Sequence, residues 1–426
     1  MSQESPSTTQ PKPSAVKQAP LWLRILKGIG SLKLAVILLS FLLVLTYLGT
    51  IEQQEIGLYQ AQKRYFDSWY LFHNLRIGLP DADPWFSIPL LLPGAYLVSG
   101  ILFFNLLAGG VLTMRKGIRQ IGILISHLGI LFLLLAGVVS HHASRRGYIT
   151  ISEGERADAA VEYLDPQIEI TELTESGKAE KVHVISPEHL HKLSPEASVL
   201  FHLENLPFNL RITSFLENAV PASIHEVNPP KGTKFFEDDT YYLLPRELDT
   251  TAEANHPACL ARLEGKDGSN GETFILFDGP ATYFPKTVSW DGKDYLVALE
   301  RERWVLPFAV GLDKFKAEFF PGTRRPKSFE SWVKRYDDKG EHPVHIEMNK
   351  PMRAEGLIFY QADWGPKDAA PGDQLYSKLE VVSNPADKWP EQALWVIAIG
   401  LLIHFGWMLI SFVIRSTKPK PATKSS

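Results

Sequence analysis

Residues 118–140 read IRQIGILISHLGILFLLLAGVVS. After Arg119 no residue in this run carries a formal charge, and the only ionisable side chain is His127. A run of this length and polarity fits a helix that spans a bilayer. His127 lies nine residues past Ile118 and thirteen before Ser140, well inside that helix. An ionisable group at such depth is costly, which makes it a functional candidate. Imidazole is also an axial ligand for haem iron. The competing interpretation is a hydrogen bond to a serine or a backbone carbonyl of a neighbouring helix, because a buried polar group without a partner costs about 1–3 kcal/mol.

Three further apolar runs surround this one. Leu34–Ile51 follows Lys27 and Lys33. It is too long for the apolar core of a signal peptide, and no small-x-small cleavage site follows it. A second run extends from Trp85 to Leu112, with Pro89, Pro93 and Gly94 near its start, where proline is tolerated or kinks a helix. The last is Ala393–Ile414, preceded by Trp389-Pro390, an aromatic anchor with a helix-start proline. The sequence therefore predicts an α-helical membrane protein with four transmembrane helices, three plus one, at about 34–51, 85–112, 118–140 and 392–414. Residues 1–20, rich in Ser, Pro, Gln and Lys, read as a disordered tail, and 415–426 as a basic tail. The polar stretch 52–83, with Tyr65, Phe66, Trp69, Tyr70 and Phe72, reads as amphipathic or interfacial.

Basic residues orient the spans. Lys12, Lys17, Arg24, Lys27 and Lys33 precede the first, and Arg115, Lys116 and Arg119 lie between the second and third. Arg415, Lys418, Lys420 and Lys424 follow the fourth. All twelve fall on one side of a four-span chain, against five (Lys63, Arg64, Arg76, Arg145 and Arg146) on the other. The positive-inside rule makes the first side cytoplasmic. Both termini are then cytoplasmic, and residues 143–391 form a large extracytoplasmic domain.

That outer domain has strand character. Polar and apolar residues alternate in Tyr148-Ile149-Thr150-Ile151, Ile168-Glu169-Ile170, Phe208–Ile212 and Leu379-Glu380-Val381. Leu357–Tyr360 is a continuous apolar run, as a fully buried strand would be. Asp291-Gly292 and the stretch Gly265–Gly271 supply turns. A β-rich sandwich or open barrel is expected, with room for two smaller modules. The whole chain of 426 residues has a net charge of −4, which gives no reason to expect nucleic acid. Its one cysteine, Cys259, excludes an intramolecular disulfide and a Cys-x-x-Cys pair. Thiol–disulfide exchange is therefore not expected.

Several stretches resemble the ResB family, also called CcsB, a membrane subunit of system II cytochrome c biogenesis. They are Leu48-Gly49-Thr50-Ile51-Glu52-Gln53, Tyr65–Trp69 with Pro84-Trp85-Phe86, and Ser126-His127-Leu128-Gly129 with Gly137–His141. The most recognisable is Asn349-Lys350-Pro351-Met352-Arg353 followed by Gly356–Gln361. The matches are correctly ordered, and residues 155–340 contribute none. The resemblance implies a complex that moves haem across the bacterial inner membrane and attaches it to apocytochrome c. It implies a CcsA/ResC-type partner with a tryptophan-rich motif. This chain lacks that motif, since Asp363-Trp364-Gly365-Pro366 holds a single tryptophan and looks like a short exposed turn. The expected role is a subunit, not catalytic by itself. It would hold haem b through His127, with the opposing ligand coming from the partner.

His404 is the second histidine within a span. It lies thirteen residues past Glu391, as His127 lies thirteen before Ser140. At 1.5 Å per residue both would sit roughly 20 Å below the outer surface. Equal depth is what two axial ligands of one haem need, so His404 is a second candidate ligand. The fourteen-residue gap from His127 to His141 resembles that of two-haem cytochrome b helices, but the fourth span offers only His404 as a counterpart. His141 and His142 then read as interfacial. His189 and His191 lie in a proline-bounded loop, and His342 and His345 would point to opposite faces of a strand. Arg301, Arg303, Arg324 and Arg325 are either propionate partners or a solvated basic edge. The rival reading is a membrane-tethered scaffold without haem, in which His127 and His404 only pack helices.

Overall fold

A computed structural model describes residues 20–77, 86–115, 117–225, 241–279, 285–323, 325–370 and 372–417. The predicted tail at 1–19, the end of the basic tail at 418–426, and Lys116 and Arg324 lie outside the described residues. The helices are α1 (Leu21–Ile29), α2 (Leu32–Ala61), α3 (Ala95–Leu106), α4 (Ile121–Ala143), the one-turn α5 (Pro187–Leu190) and α6 (Trp389–Ser416). The chain forms two compact units. One takes Met1–Leu48, Arg64–Val138 and Lys388–Ser426, and the other Gly49–Lys63 and Val139–Asp387.

Among the described residues, four helical segments are long and apolar enough to cross a membrane: Leu21–Phe66, Ala95–Leu112, Ile118–Ala143 and Trp389–Ser416. The shortest, of 18 residues, is about 27 Å long, close to the apolar thickness of a bilayer. Their outer faces carry large apolar side chains, among them Leu43, Phe104, Leu402 and Phe412, each more than 60% exposed. The first helix runs past the expected Ile51 to Ala61, with a break at Gly57, where φ is 81°.

The second span begins later than expected. Phe86–Pro93 is a strand (β2) that pairs antiparallel with Tyr70–Ile77 (β1), Tyr70 opposite Pro93 and Ile77 opposite Phe86. Pro89 and Pro93 each lack the N–H that a helix interior needs, and helix α3 starts only at Ala95. It ends in a π-wound turn, Leu107–Leu112. The described part of the stretch expected to be interfacial, residues 52–77, is thus largely helix and strand. Tyr65 within it is buried, and its hydroxyl lies 2.6 Å from His73 Nδ1.

The second unit is mainly β. Its strands are β3 (Arg145–Ser152), β4 (Arg156–Leu173), β5 (Ala179–Ile185), β6 (Ser198–Phe201), β7 (Phe208–Leu216), β8 (Ala219–Ser223), β9 (Tyr241–Pro245), β10 (Ala258–Gly265) and β11 (Asn270–Phe277). They continue as β12 (Lys286–Trp290), β13 (Lys293–Phe319), β14 (Pro326–Asp337), β15 (Gly340–Glu347), β16 (Met352–Ala354), β17 (Leu357–Gly365) and β18 (Tyr376–Ser383). The alternating segments fold as their period requires. Ile149 and Ile151 on β3, and Ile168 and Ile170 on β4, are each at most 1% exposed. Asp291 and Gly292, both with positive φ, turn β12 into β13 as the tight hairpin their sequence announces.

One sheet runs in the order β15-β14-β13-β4-β3-β18-β17-β16, and β5 and β12 pair with the far ends of β4 and β13. Its two edge strands are consecutive in sequence, joined through a turn in which Glu347 and Lys350 exchange backbone hydrogen bonds. The sheet therefore curls around a core that contains Phe308, Leu312, Phe359 and Val381. The other halves of β4 and β13, with β5 and β12, face a four-stranded sheet, β11-β10-β7-β6, across a second core that contains Ile170, Phe208, Phe274 and Val297. β13 alone is 27 residues long and contributes to both cores. The outer domain is thus an open barrel and a sandwich sharing two long strands. Cys259 is buried in the sandwich core.

Candidate functional site

His127 sits mid-way along α4, and its ring is half-buried against the π turn that ends α3. Its Nδ1 lies 3.0 Å from the carbonyl oxygen of Gly110. The oxygen accepts, so Nδ1–H donates. Nε2 has no hydrogen-bond partner among the described residues. This is the arrangement common to metal-ligating histidines, in which one ring nitrogen donates to a carbonyl and the other faces the metal. An Nε2 left free in this way is chemically able to serve as one axial ligand of a haem iron. As a glycine within an apolar run, Gly110 has no side chain to announce a role in the sequence. The Gly109-Gly110 pair inside an apolar run was the available clue.

Small residues pack α4 against α6. Gly122, Ser126 and Gly129 are buried on one face of α4. A Cβ at Gly122 would lie 2.6 Å from both the Gly400 oxygen and the His404 nitrogen, and one at Gly129 3.2 Å from the Ala393 oxygen. Ser126 Oγ donates to Gly122 O at 3.1 Å and to Ile397 O at 3.3 Å. Such small-residue seams let membrane helices approach closely.

This register decides where His404 falls. Its backbone is level with Gly122, five residues from His127, or about 7.5 Å along α4. His127 faces Gly110 instead, so the structure does not bring the two candidate histidines together. Counting from helix ends misplaces them because α6 does not start level with Ser140: Trp389 in its first turn packs on Phe132, with ring centroids 5.6 Å apart. His404 Nδ1 is buried without a hydrogen-bond partner among the described residues.

The remaining polar candidates are tied up in the outer unit. Arg301 pairs with Asp278 and donates to Asn255 O at 2.6 Å, while Arg303 pairs with Glu300. Burial pushes the Asp278 carboxyl up despite Arg301. Arg325 stacks over Phe320. His191 bonds Asp165 at 3.0 Å, His342 bonds Asp337 at 3.1 Å, and His345 bonds Glu330 at 3.1 Å. Ser331, Gln361 and Ser377 form a hydrogen-bonded cluster inside the barrel. Trp364 is not in an exposed turn. It lies near the end of β17, is 9% exposed and stacks on Phe315 at 5.4 Å, because the aromatic face is buried beneath the β13–β14 hairpin. Among the described residues no group of three His, Cys, Asp or Glu side chains is placed to hold a metal ion.

His141 lines a cavity of about 1100 Å³ in this unit, together with Arg145, Arg146, Tyr163 and the carboxylates of Glu162, Glu253, Glu302 and Glu380. Arg145 is spent on Glu162 and Glu302, the latter at 2.7 Å. Burial and the nearby Glu380 push the Tyr163 phenol up. Carboxylates outnumber guanidiniums here, which disfavours a dianionic ligand.

The fold and the site define a class: a chain with four long apolar helices and a large, mainly β domain, carrying an imidazole with one uncommitted nitrogen inside an apolar helix. Residues 291–381 match the sequence model of the ResB-like family, the family that the motifs resemble. The match spans β13 to most of β18, which together with β3 and part of β4 build the barrel, and it reaches back into a region without a recognisable motif. No curated protein sequence matches the chain.

Proposed function

We propose that this chain is a membrane-inserted, non-catalytic subunit of a system II cytochrome c biogenesis complex. In this reading His127 Nε2 holds haem b within the bacterial inner membrane, and a CcsA/ResC-type partner supplies the opposing ligand. The outer β domain docks that partner and the apocytochrome c on the periplasmic side, with both termini cytoplasmic. The ResB-like family is associated with cytochrome c biogenesis. The observation that carries the reading is the coincidence, in one chain, of a ResB-like segment with a helix-embedded imidazole whose Nε2 is uncommitted among the described residues. The lipid-scale helices with apolar outer faces and the basic residues at their cytoplasmic ends support the topology. When bound, haem supplies an iron that must be ligated in transit. The chain's own contribution is to hold the imidazole in place and to exclude water around it.

The test is complementation. Cells lacking this subunit, supplied with the His127→Ala form, should lose covalent haem staining of their periplasmic c-type cytochromes while the subunit remains in the membrane. Wild-type staining in that strain would contradict the reading.

A further inference from the structure

We propose that the Gly110 carbonyl selects which nitrogen of His127 is the donor, and that residue 110 must be glycine for it to do so. In a neutral imidazole one nitrogen carries the proton and the other the lone pair. The Gly110 oxygen, 3.0 Å from Nδ1, fixes the proton there and leaves the lone pair on Nε2. Gly110 is a positioning residue in this account. Only His127 would touch the iron.

Three features of the turn make the carbonyl dependable. Gly110 lies in the last turn of its helix, where carbonyls have no helical N–H to accept from. His127 fills that vacancy, so the interaction satisfies both groups. The turn is wound as π and closed at Thr113, whose N–H and hydroxyl both reach Ala108 O at 2.9 Å. Single π turns inside helical segments are frequent at functional sites. The turn is also wedged from behind. A Cβ on Gly109 would lie 2.3 Å from the Gly30 oxygen, and Asn105 Nδ2 donates to Ile29 O at 2.5 Å and to Ser31 O at 3.1 Å. A Cβ on Gly110 itself would lie 2.7 Å from His127 Nδ1 and 2.9 Å from Cγ. With the turn wedged, the imidazole is what must move.

The test measures the tautomer first, because it does not require haem. Ring ¹⁵N shifts of the full chain in lipid nanodiscs, assigned by subtraction of His127→Ala, should show His127 protonated on Nδ1. An Nε2–H form, or an even mixture, in the wild type overturns the proposal. Gly110→Ala should abolish the preference. In the complex purified with its tryptophan-rich partner, it should lower haem retention at least about tenfold, as removal of a ligand's hydrogen-bond partner does. Gly100→Ala, whose Cβ meets nothing within 4 Å, should match the wild type in both measurements. A Gly110→Ala chain that keeps the Nδ1–H tautomer and its haem overturns the proposal. The haem arm rests on the function proposed above. An Nδ1–H tautomer in a chain whose His127→Ala variant keeps all its haem would uphold the selection by Gly110 and refute the haem reading instead.

Discussion

Gly122 on α4 and His404 on α6 touch through their backbones: a Cβ on residue 122 would lie 2.6 Å from the His404 nitrogen. The contact fixes the crossing of the two helices. Any side chain at 122 must push them apart, and overpacking of this kind costs about 1–3 kcal/mol. Gly122→Leu should therefore lower the thermal midpoint of the protein in detergent. Gly137→Ala on the same helix, with nothing within 4 Å of its Cβ, should not. Equal midpoints for the two variants would mean that this seam does not form.

The two cores of the outer domain should unfold together, because β4 and β13 pass through both. Phe274 belongs to the sandwich core and Phe359 to the barrel core, and both are fully buried. Truncating either to alanine should cost about 3–5 kcal/mol. Hydrogen exchange should accelerate to a similar degree in β11 and in β17 for both variants. Loss of protection confined to the mutated half would show two independent modules.

Acid should weaken the sandwich through Glu264. Hydrogen bonds from Arg211 and Arg262 hold its carboxyl at about 2, down from the ordinary 4.5. A group whose folded pKa lies below its unfolded value stabilises the fold above the unfolded pKa. That contribution is lost as pH falls from about 4.5 through about 2. Protection of the β7–β10 pair should decline across this window, and Glu264→Gln should flatten the decline. An unchanged slope in the variant would rule Glu264 out as a source.

Cys259 should be inert in the native state. It is fully buried and burial pushes its thiol up, so thiolate is scarce at neutral pH. Maleimide should label it only after denaturant is added. Rapid labelling of the native protein would show that the sandwich core opens.

Much of this architecture was legible because two periods are written plainly in the chain. The uncharged run around His127 announces a spanning-length helix, and Tyr148–Ile151 and Ile168–Ile170 announce half-buried strands. Other parts had no local signature. Apart from Ser87, Phe86–Pro93 is apolar, and a short apolar run reads equally as strand or helix until its partner β1 is known. β13 hides its length because its alternation is broken where its pairing with β4 shifts, between Arg301 and Arg303 and again between Val305 and Val310. Trp364 looked like a turn residue because Gly365-Pro366 follows it, whereas its burial depends on Phe315 and Phe329, distant in sequence. The site was half legible. His127 stood out by its depth, but the Gly110 carbonyl is a backbone atom without a sequence signature. The offset of His404 depends on where α6 meets α4, which residue counts do not encode.

The most direct measurement is the haem content of the protein, co-purified with the tryptophan-rich partner proposed for it, for wild type, His127→Ala and His404→Ala. A pyridine haemochrome assay with the reduced spectrum suffices. The account predicts b-type haem in the wild type and in His404→Ala, and its loss in His127→Ala. Haem undiminished in His127→Ala, or absent from the intact wild-type complex, would contradict it.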